Sequence, residues 1–130
     1  MTKRSEVDGA RARRDLLGDQ AVERHLAGPV HAAAPELTRM IDENLFGEIW
    51  QDPALTTRER ALVTVAALSA NGLLGQLRTY TGVAVRTGVD RQALVQTAVQ
   101  LAFYIGFPAA GNALAVMVET LDNMEREEAE

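Results

Sequence analysis

The feature that most constrains the fold is a long segment with very few charges. From Ala61 to Val118 the chain carries only four charged side chains, Arg78, Arg86, Asp90 and Arg91. Glycines at 72, 88 and 106 divide this segment into pieces longer than an average strand. Pieces of that length that are apolar on nearly every face are typical of buried helices. They also leave more apolar surface than a small monomer easily hides, so we expect self-association.

Sequence signals for the starts and ends of helices also support a helical fold. Thr56 and Glu59 have the spacing of a capping box, and a central buried helix is expected to follow. Apolar residues three and four apart predict an amphipathic helix from Pro35 to Trp50. Further helices are expected from about Leu74 to Thr87, after Asp90, and from Pro108.

The sequence therefore predicts an all-α fold of about six helices in a single domain spanning residues 1–130. Residues 1–8 are expected to be disordered and residues 9–34 to form an N-terminal arm. This arm comprises a weakly periodic helix from Gly9 to His25 and a Gly/Pro/Ala-rich linker from Leu26 to Pro35.

Composition excludes several classes of function. The formal net charge of −5 has the wrong sign for a nucleic-acid binder. The absence of cysteine excludes disulfides, thiolate metal sites and thiol-based peroxidase chemistry. No stretch resembles a signal peptide or a membrane span, so we expect a cytoplasmic protein.

Three segments together resemble the carboxymuconolactone decarboxylase family of the AhpD-like superfamily. They read GARARRDLLGD, FGEIWQDPALTTRERALVTVAALSANG and GVDRQALVQTAVQLAFYIGFPAAGNAL. The resemblance spans roughly residues 9–121 and implies a helical protein that assembles as a trimer or hexamer. It also implies a lyase that needs no cofactor or metal, because the thiol hydroperoxidases of the superfamily require a Cys-x-x-Cys pair that is absent here.

In the decarboxylases of this family, the segment after the central helix resembles Glu-Leu-x-x-His. Its glutamate and histidine are the candidates for proton transfer. The corresponding segment here reads Gln76-Leu77-Arg78-Thr79-Tyr80. Glutamine does not titrate, and a tyrosine hydroxyl ordinarily loses its proton only at about pH 10. A neutral Tyr80 hydroxyl can still donate a proton, with Gln76 positioning the substrate by hydrogen bonding. The alternative is that Tyr80 is a core aromatic residue and Gln76 an exposed one.

Arg60 matches an arginine of the family and is a candidate to bind a substrate carboxylate. The alternative is a structural ion pair with a nearby carboxylate. Phe46 and Trp50 are candidates to line a pocket, although aromatic residues at helical spacing are more often core.

Further candidates flank the two glycine-containing breaks. His25 and His31 flank the Gly/Pro-containing linker, a kind of segment that can cover a site, and His25 is a candidate to bind substrate. The preferred alternative is that both are surface histidines and not metal ligands. Tyr104, Phe107 and Asn112 surround the Gly-Phe-Pro break, where they shape the fold or line the pocket.

Two functional hypotheses remain open. The first is an enzyme acting by acid/base chemistry on a small, anionic, carboxylated ring or lactone, or diverged to another reaction on a natural-product intermediate. The second is a protein of the same fold that binds a small ligand or assembles without chemistry.

Overall fold

A computed structural model describes residues 8–130 of the chain. These residues form eight α-helices, one π-helix and one 3-10 helix, and no strand. The all-α prediction is therefore confirmed. Contacts divide the chain into two compact units, the first ending at Leu55 and the second spanning Thr56–Glu130.

The first unit is built from short helical segments. The α-helices are α1 (Gly9–Leu17), α2 (Asp19–Leu26), α3 (Pro29–Ala33) and α4 (Pro35–Met40). The π-helix Ile41–Phe46 and the 3-10 helix Ile49–Gln51 follow. The expectation of disorder up to residue 8 falls on residues 1–7, which lie outside the described residues, and on Asp8. Asp8 instead caps α1, because its carboxylate accepts a hydrogen bond of 3.2 Å from the Arg11 amide.

The N-terminal arm is more helical than the sequence indicates. The expected helix from Gly9 to His25 is interrupted at Gly18, whose φ of 89° is unfavourable for residues with a side chain. The expected linker contains α3, which Pro29 begins at a position where a missing N–H costs nothing. These differences account for most of the additional helices.

The helix expected from Pro35 to Trp50 keeps α geometry only as far as Met40. The π-helix that continues it packs against α1. This contact requires glycine, because a Cβ atom on Gly9 would overlap the backbone carbonyl of Asp42. A Cβ atom on Gly47 would likewise lie 3.3 Å from the Gly9 Cα atom.

The second unit contains four longer helices, α5 (Thr57–Ala70), α6 (Leu74–Arg86), α7 (Arg91–Ile105) and α8 (Phe107–Ala129). Helix α5 packs on α6, and α8 packs on both α6 and α7. The core of this unit is apolar, and its fully buried large side chains include Val65, Leu77, Val83, Leu94 and Met117. Among residues 8–130, no helix is both long enough and apolar enough to cross a membrane.

Candidate functional site

Helix α6 carries the two residues that occupy the family's proton-transfer positions. Gln76 and Tyr80 are four residues apart, so they lie one turn apart on the same face of the helix. Gln76 is exposed and Tyr80 is half-buried. The residues that directly follow them, Leu77 and Thr81, are fully buried. Tyr80 therefore lies at the border between the core and the solvent-facing side of α6, where a side chain can meet a small ligand.

The Thr81 hydrogen bond and the Arg78 ion pair do little to fix the orientation of α6. Its buried Thr81 hydroxyl donates to the Leu77 carbonyl at 2.7 Å, which satisfies this polar group within the helix. Arg78 approaches Glu119 of α8 at 3.9 Å in an exposed ion pair, which contributes little. Apolar packing of α6 therefore positions the face that carries Tyr80.

Arg60 lies in the first turn of α5, which packs on α6. The predicted capping box fixes where this helix begins. The Thr56 amide donates to the Glu59 carboxylate at 2.8 Å, and the Glu59 amide donates to the Thr56 hydroxyl at 3.1 Å. Arg60 follows directly and is half-buried. The planar fork of a guanidinium matches the geometry of a carboxylate.

A second arginine ties the beginning of α5 to the turn after α6. The Nε atom of Arg58 donates to the Gly88 carbonyl at 3.3 Å. Gly88 lies two residues after the end of α6 and has a φ of 103°. This contact links the start of the helix that carries Arg60 to the turn after the helix that carries Tyr80. The sequence does not predict this role of Arg58, because its side chain bonds to a backbone carbonyl 30 residues away. Such a contact leaves no pattern in the neighbouring residues.

The residues around the Gly-Phe-Pro break are exposed. Gly106 has a φ of 95° at the corner between α7 and α8. Tyr104 before it is 78% exposed and Phe107 after it is 79% exposed. Asn112 is also exposed. In the chain by itself, these residues form a surface and not the wall of an enclosed pocket.

Phe46 and Trp50 belong to the first unit and are buried, with 2% and 8% of their surfaces exposed. The guanidinium carbon of Arg13 lies 5.5 Å from the centre of the Phe46 ring, within the range of a cation–π contact. Of the two interpretations that the sequence leaves open for these aromatic residues, burial favours core packing.

His25 and His31 are half-buried and meet at one hydroxyl group, which differs from their interpretation as surface histidines. Nε2 of His25 lies 2.9 Å from Thr38 Oγ1, and Nδ1 of His31 lies 2.8 Å from the same atom. Burial lowers the pKa of His25, and the charges of Arg13 and His31 lower it further. The sequence spacing of these three residues gives no signal of this cluster.

Charged groups elsewhere form structural pairs. Arg91 at the beginning of α7 donates to Asp122 and Glu125 of α8, each at 2.7 Å. Over residues 8–130, no three histidine or carboxylate side chains are grouped so that they could hold a metal ion.

Comparison with known proteins agrees with the fold. A nitrosuccinic acid decarboxylase of Metarhizium robertsii is 27% identical over 117 residues, covering 90% of this chain and 81% of the relative. A 4-carboxymuconolactone decarboxylase of Acinetobacter baylyi is 28% identical over 116 residues, covering 89% of this chain and 86% of the relative. Residues 35–119, well over half of the chain, match the carboxymuconolactone decarboxylase family. The chain belongs to this family, and the matched residues include Arg60, Gln76 and Tyr80 but neither histidine.

Proposed function

We propose that the protein is a decarboxylase that removes carbon dioxide from a small carboxylic acid carrying a second anionic group. The observation that supports this most directly is the family match, together with two relatives that are both named as decarboxylases. Tyr80, which is half-buried on the face of α6 shared with Gln76, supplies the proton from its hydroxyl. No cofactor is needed, as the family resemblance implies.

The reaction breaks the bond between the substrate carbon and its carboxylate. Carbon dioxide leaves, and the electron pair stays on the carbon, where an electron-withdrawing group of the substrate delocalises it. Tyr80 then donates its proton to that carbon, and solvent reprotonates the tyrosinate. An ordinary tyrosine hydroxyl carries its proton at neutral pH, and this is the form that a proton donor requires.

Arg60 binds the anionic group that stays on the substrate. An arginine paired with the departing carboxylate would stabilise the ground state more than the transition state, where that charge disappears, and would slow the reaction. A bidentate pair with a second carboxylate instead fixes the substrate's orientation without this cost. Gln76 cannot exchange a proton, so its role is to hydrogen-bond the substrate.

Two further candidates of the second unit, Tyr104 and Asn112, are exposed in the chain by itself. We assign them to the wall of the binding site only in the assembled protein. We propose a homo-oligomer, a trimer or a hexamer. Exposed aromatic residues at the α7–α8 corner, Phe103, Tyr104 and Phe107, support this because exposed apolar groups of this size mark interaction surfaces.

The assembly is tested by measuring the mass of the protein in solution. Phe103→Glu places a charge at the corner and is expected to lower the mass to that of smaller species. Glu128→Gln, at an exposed position near the end of α8, is the control and should leave the mass unchanged. A strictly monomeric wild type would contradict the proposal.

The activity is tested by incubating the full chain with carboxymuconolactone and, separately, with nitrosuccinic acid, while released carbon dioxide is measured. Release from either acid, with a KM that rises in Arg60→Gln, is expected. Arg24→Gln, on an exposed side chain of α2, is the matched control. Absence of release from both acids, under conditions in which the two named relatives are active, would count against the proposal.

A second candidate function is binding without turnover. It is favoured by one observation, that neither Gln76 nor Tyr80 is an acid or base with an ordinary pKa near neutrality. Calorimetry with the same two acids separates the candidates, because a binding protein takes up the ligand and releases no carbon dioxide.

A further inference from the structure

Three consecutive helices of the first unit meet at one buried hydroxyl group. His25 is near the end of α2, His31 is in α3 and Thr38 is in α4. Thr38 is only 5% exposed, and its Oγ1 atom lies within hydrogen-bonding distance of both imidazoles. The two ring centres are 6.0 Å apart. None of these helices is longer than eight residues, so such contacts matter for how they are held together.

The number of protons limits how this cluster is bonded. A threonine hydroxyl carries one proton and two lone pairs. With neutral histidines it donates to one imidazole and accepts from the other, and all three groups are satisfied. When both imidazoles are protonated, both facing nitrogens are donors, and the hydroxyl oxygen accepts from both rings. The proton of the buried hydroxyl then has no acceptor in the cluster, and two like charges lie beside each other, so full protonation disfavours the closed arrangement.

The surrounding charges add to this cost. The groups that face His25 are Arg13 of α1, His31 of α3 and Asp42 of the π-helix. Asp42, the acidic member of this set, is already paired with Arg13, whose Nη1 lies 3.3 Å from its carboxylate. When the second of the two histidines is protonated, the Asp42 carboxylate is therefore already paired with Arg13 and stabilises the new positive charge less.

We propose that His25, Thr38 and His31 form an acid-sensitive latch that holds α2, α3 and α4 together at neutral pH and opens when both imidazoles are protonated. The latch lies outside the functions assigned to Tyr80 and Arg60. A protein without the pH response could still be a decarboxylase, and a protein without decarboxylase activity could still show the pH response.

The direction of the pH effect follows from His25. Burial lowers its pKa in the folded protein below the ordinary value near 6.5. The unfolded or opened state then binds the proton more readily, so the closed state is favoured above about pH 6.5 and is lost as pH falls. Each pKa unit of difference corresponds to about a tenfold change in the opening equilibrium.

The test follows the full chain by NMR as the pH is lowered from about 7.5 to 5. The ring signals of both histidines and the hydrogen-exchange protection of amides in residues 19–33 are recorded, with exchange corrected for its intrinsic pH dependence. Protection is expected to fall across this range, about tenfold for each unit by which the His25 pKa is lowered. His31→Gln is expected to raise the pKa of His25, because a neighbouring positive charge is removed.

Thr38→Val separates the hydroxyl bridge from the charges, since it keeps the shape and removes the bonds. It is expected to reduce protection of residues 19–33 at pH 7.5. Thr97→Val is the control, because the Thr97 hydroxyl donates only within its own helix, to the Ala93 carbonyl at 2.8 Å. Equal effects of the two variants, or protection of residues 19–33 that does not change with pH in the wild type, would overturn the proposal.

Discussion

The two units bury polar groups in different ways. In the second unit the buried hydroxyls of Ser69 and Thr81 each donate within their own helix, at 2.7 Å. In the first unit the buried Arg13 pairs with Asp42 of another segment, and Thr38 bonds two histidines from two further segments. These buried polar groups therefore link different segments in the first unit and bond within a single helix in the second.

This difference has consequences for how each unit responds to change. Apolar packing is sensitive to the volume of side chains and almost insensitive to pH. Directional bonds between short helices depend on charge and on the number of available protons. Substitutions of volume should therefore act mainly on the second unit, and substitutions of charge mainly on the first.

The largest expected effect is on the apolar core. Met117 of α8 is fully buried, and Met117→Ala should lower the free energy of unfolding by about 3 to 4 kcal/mol, because it leaves a cavity. Met40→Ala is the matched control at a half-exposed position of the first unit and should cost well under about 1 kcal/mol. Denaturant unfolding measures both, and similar losses would remove the distinction between the units.

The next effect is on the Arg13–Asp42 pair. Asp42→Asn removes the carboxylate and leaves the Arg13 side chain, which is 9% exposed, without its counter-charge. We expect a loss of about 2 kcal/mol, below the value for a fully buried pair because Asp42 is partly exposed. Asp15→Asn breaks the exposed pair with Arg11 and should cost less than about 0.5 kcal/mol. A negligible effect of Asp42→Asn in thermal unfolding would contradict the importance of directional bonds in the first unit.

A smaller effect is expected where the second unit begins. Thr56→Ala removes the hydroxyl that caps α5 and should cost about 1 kcal/mol. Thr57→Ala, inside the first turn and exposed, is the control and should be nearly neutral. Equal stability of both variants in denaturant unfolding would mean that the capping box contributes nothing.

The smallest effect concerns the same capping box at acidic pH. The hydrogen bond from the Thr56 amide lowers the pKa of Glu59 below its usual 4.5. The folded state then binds this proton less readily than the unfolded state. The resulting stabilisation is present above about pH 4.5 and disappears as pH falls below it. Thermal unfolding from pH 6 to 3 should show a shallower decrease in Glu59→Gln, and identical slopes would contradict this.

Much of the second unit is predictable from the sequence, because its signals are local. Thr56 and Glu59 mark the start of α5, Asp90 caps α7, and Gly106 ends it, as expected. The first unit is less predictable. Its π-helix packs on α1 through the close approach of Gly9 to Asp42, two residues far apart in the sequence.

The candidate site shows the same limit. The pairing of Gln76 with Tyr80 on one face of α6 follows from helical periodicity. The burial of Phe46 and Trp50, the exposure of Tyr104 and the cluster at Thr38 all depend on tertiary contacts. Periodicity places residues on a helix face, but it does not determine which face the rest of the protein covers.

The central proposal is that Tyr80 supplies the proton in a decarboxylation. The most direct test is the rate of carbon dioxide release by wild type and Tyr80→Phe, which keeps the ring and removes the hydroxyl. Loss of a positioned proton donor predicts a decrease in kcat of about 10²- to 10⁴-fold in a folded protein. Thr97→Val, which also loses a hydroxyl from a helix of the second unit, should retain the wild-type rate. A Tyr80→Phe variant that releases carbon dioxide as fast as wild type would contradict the account.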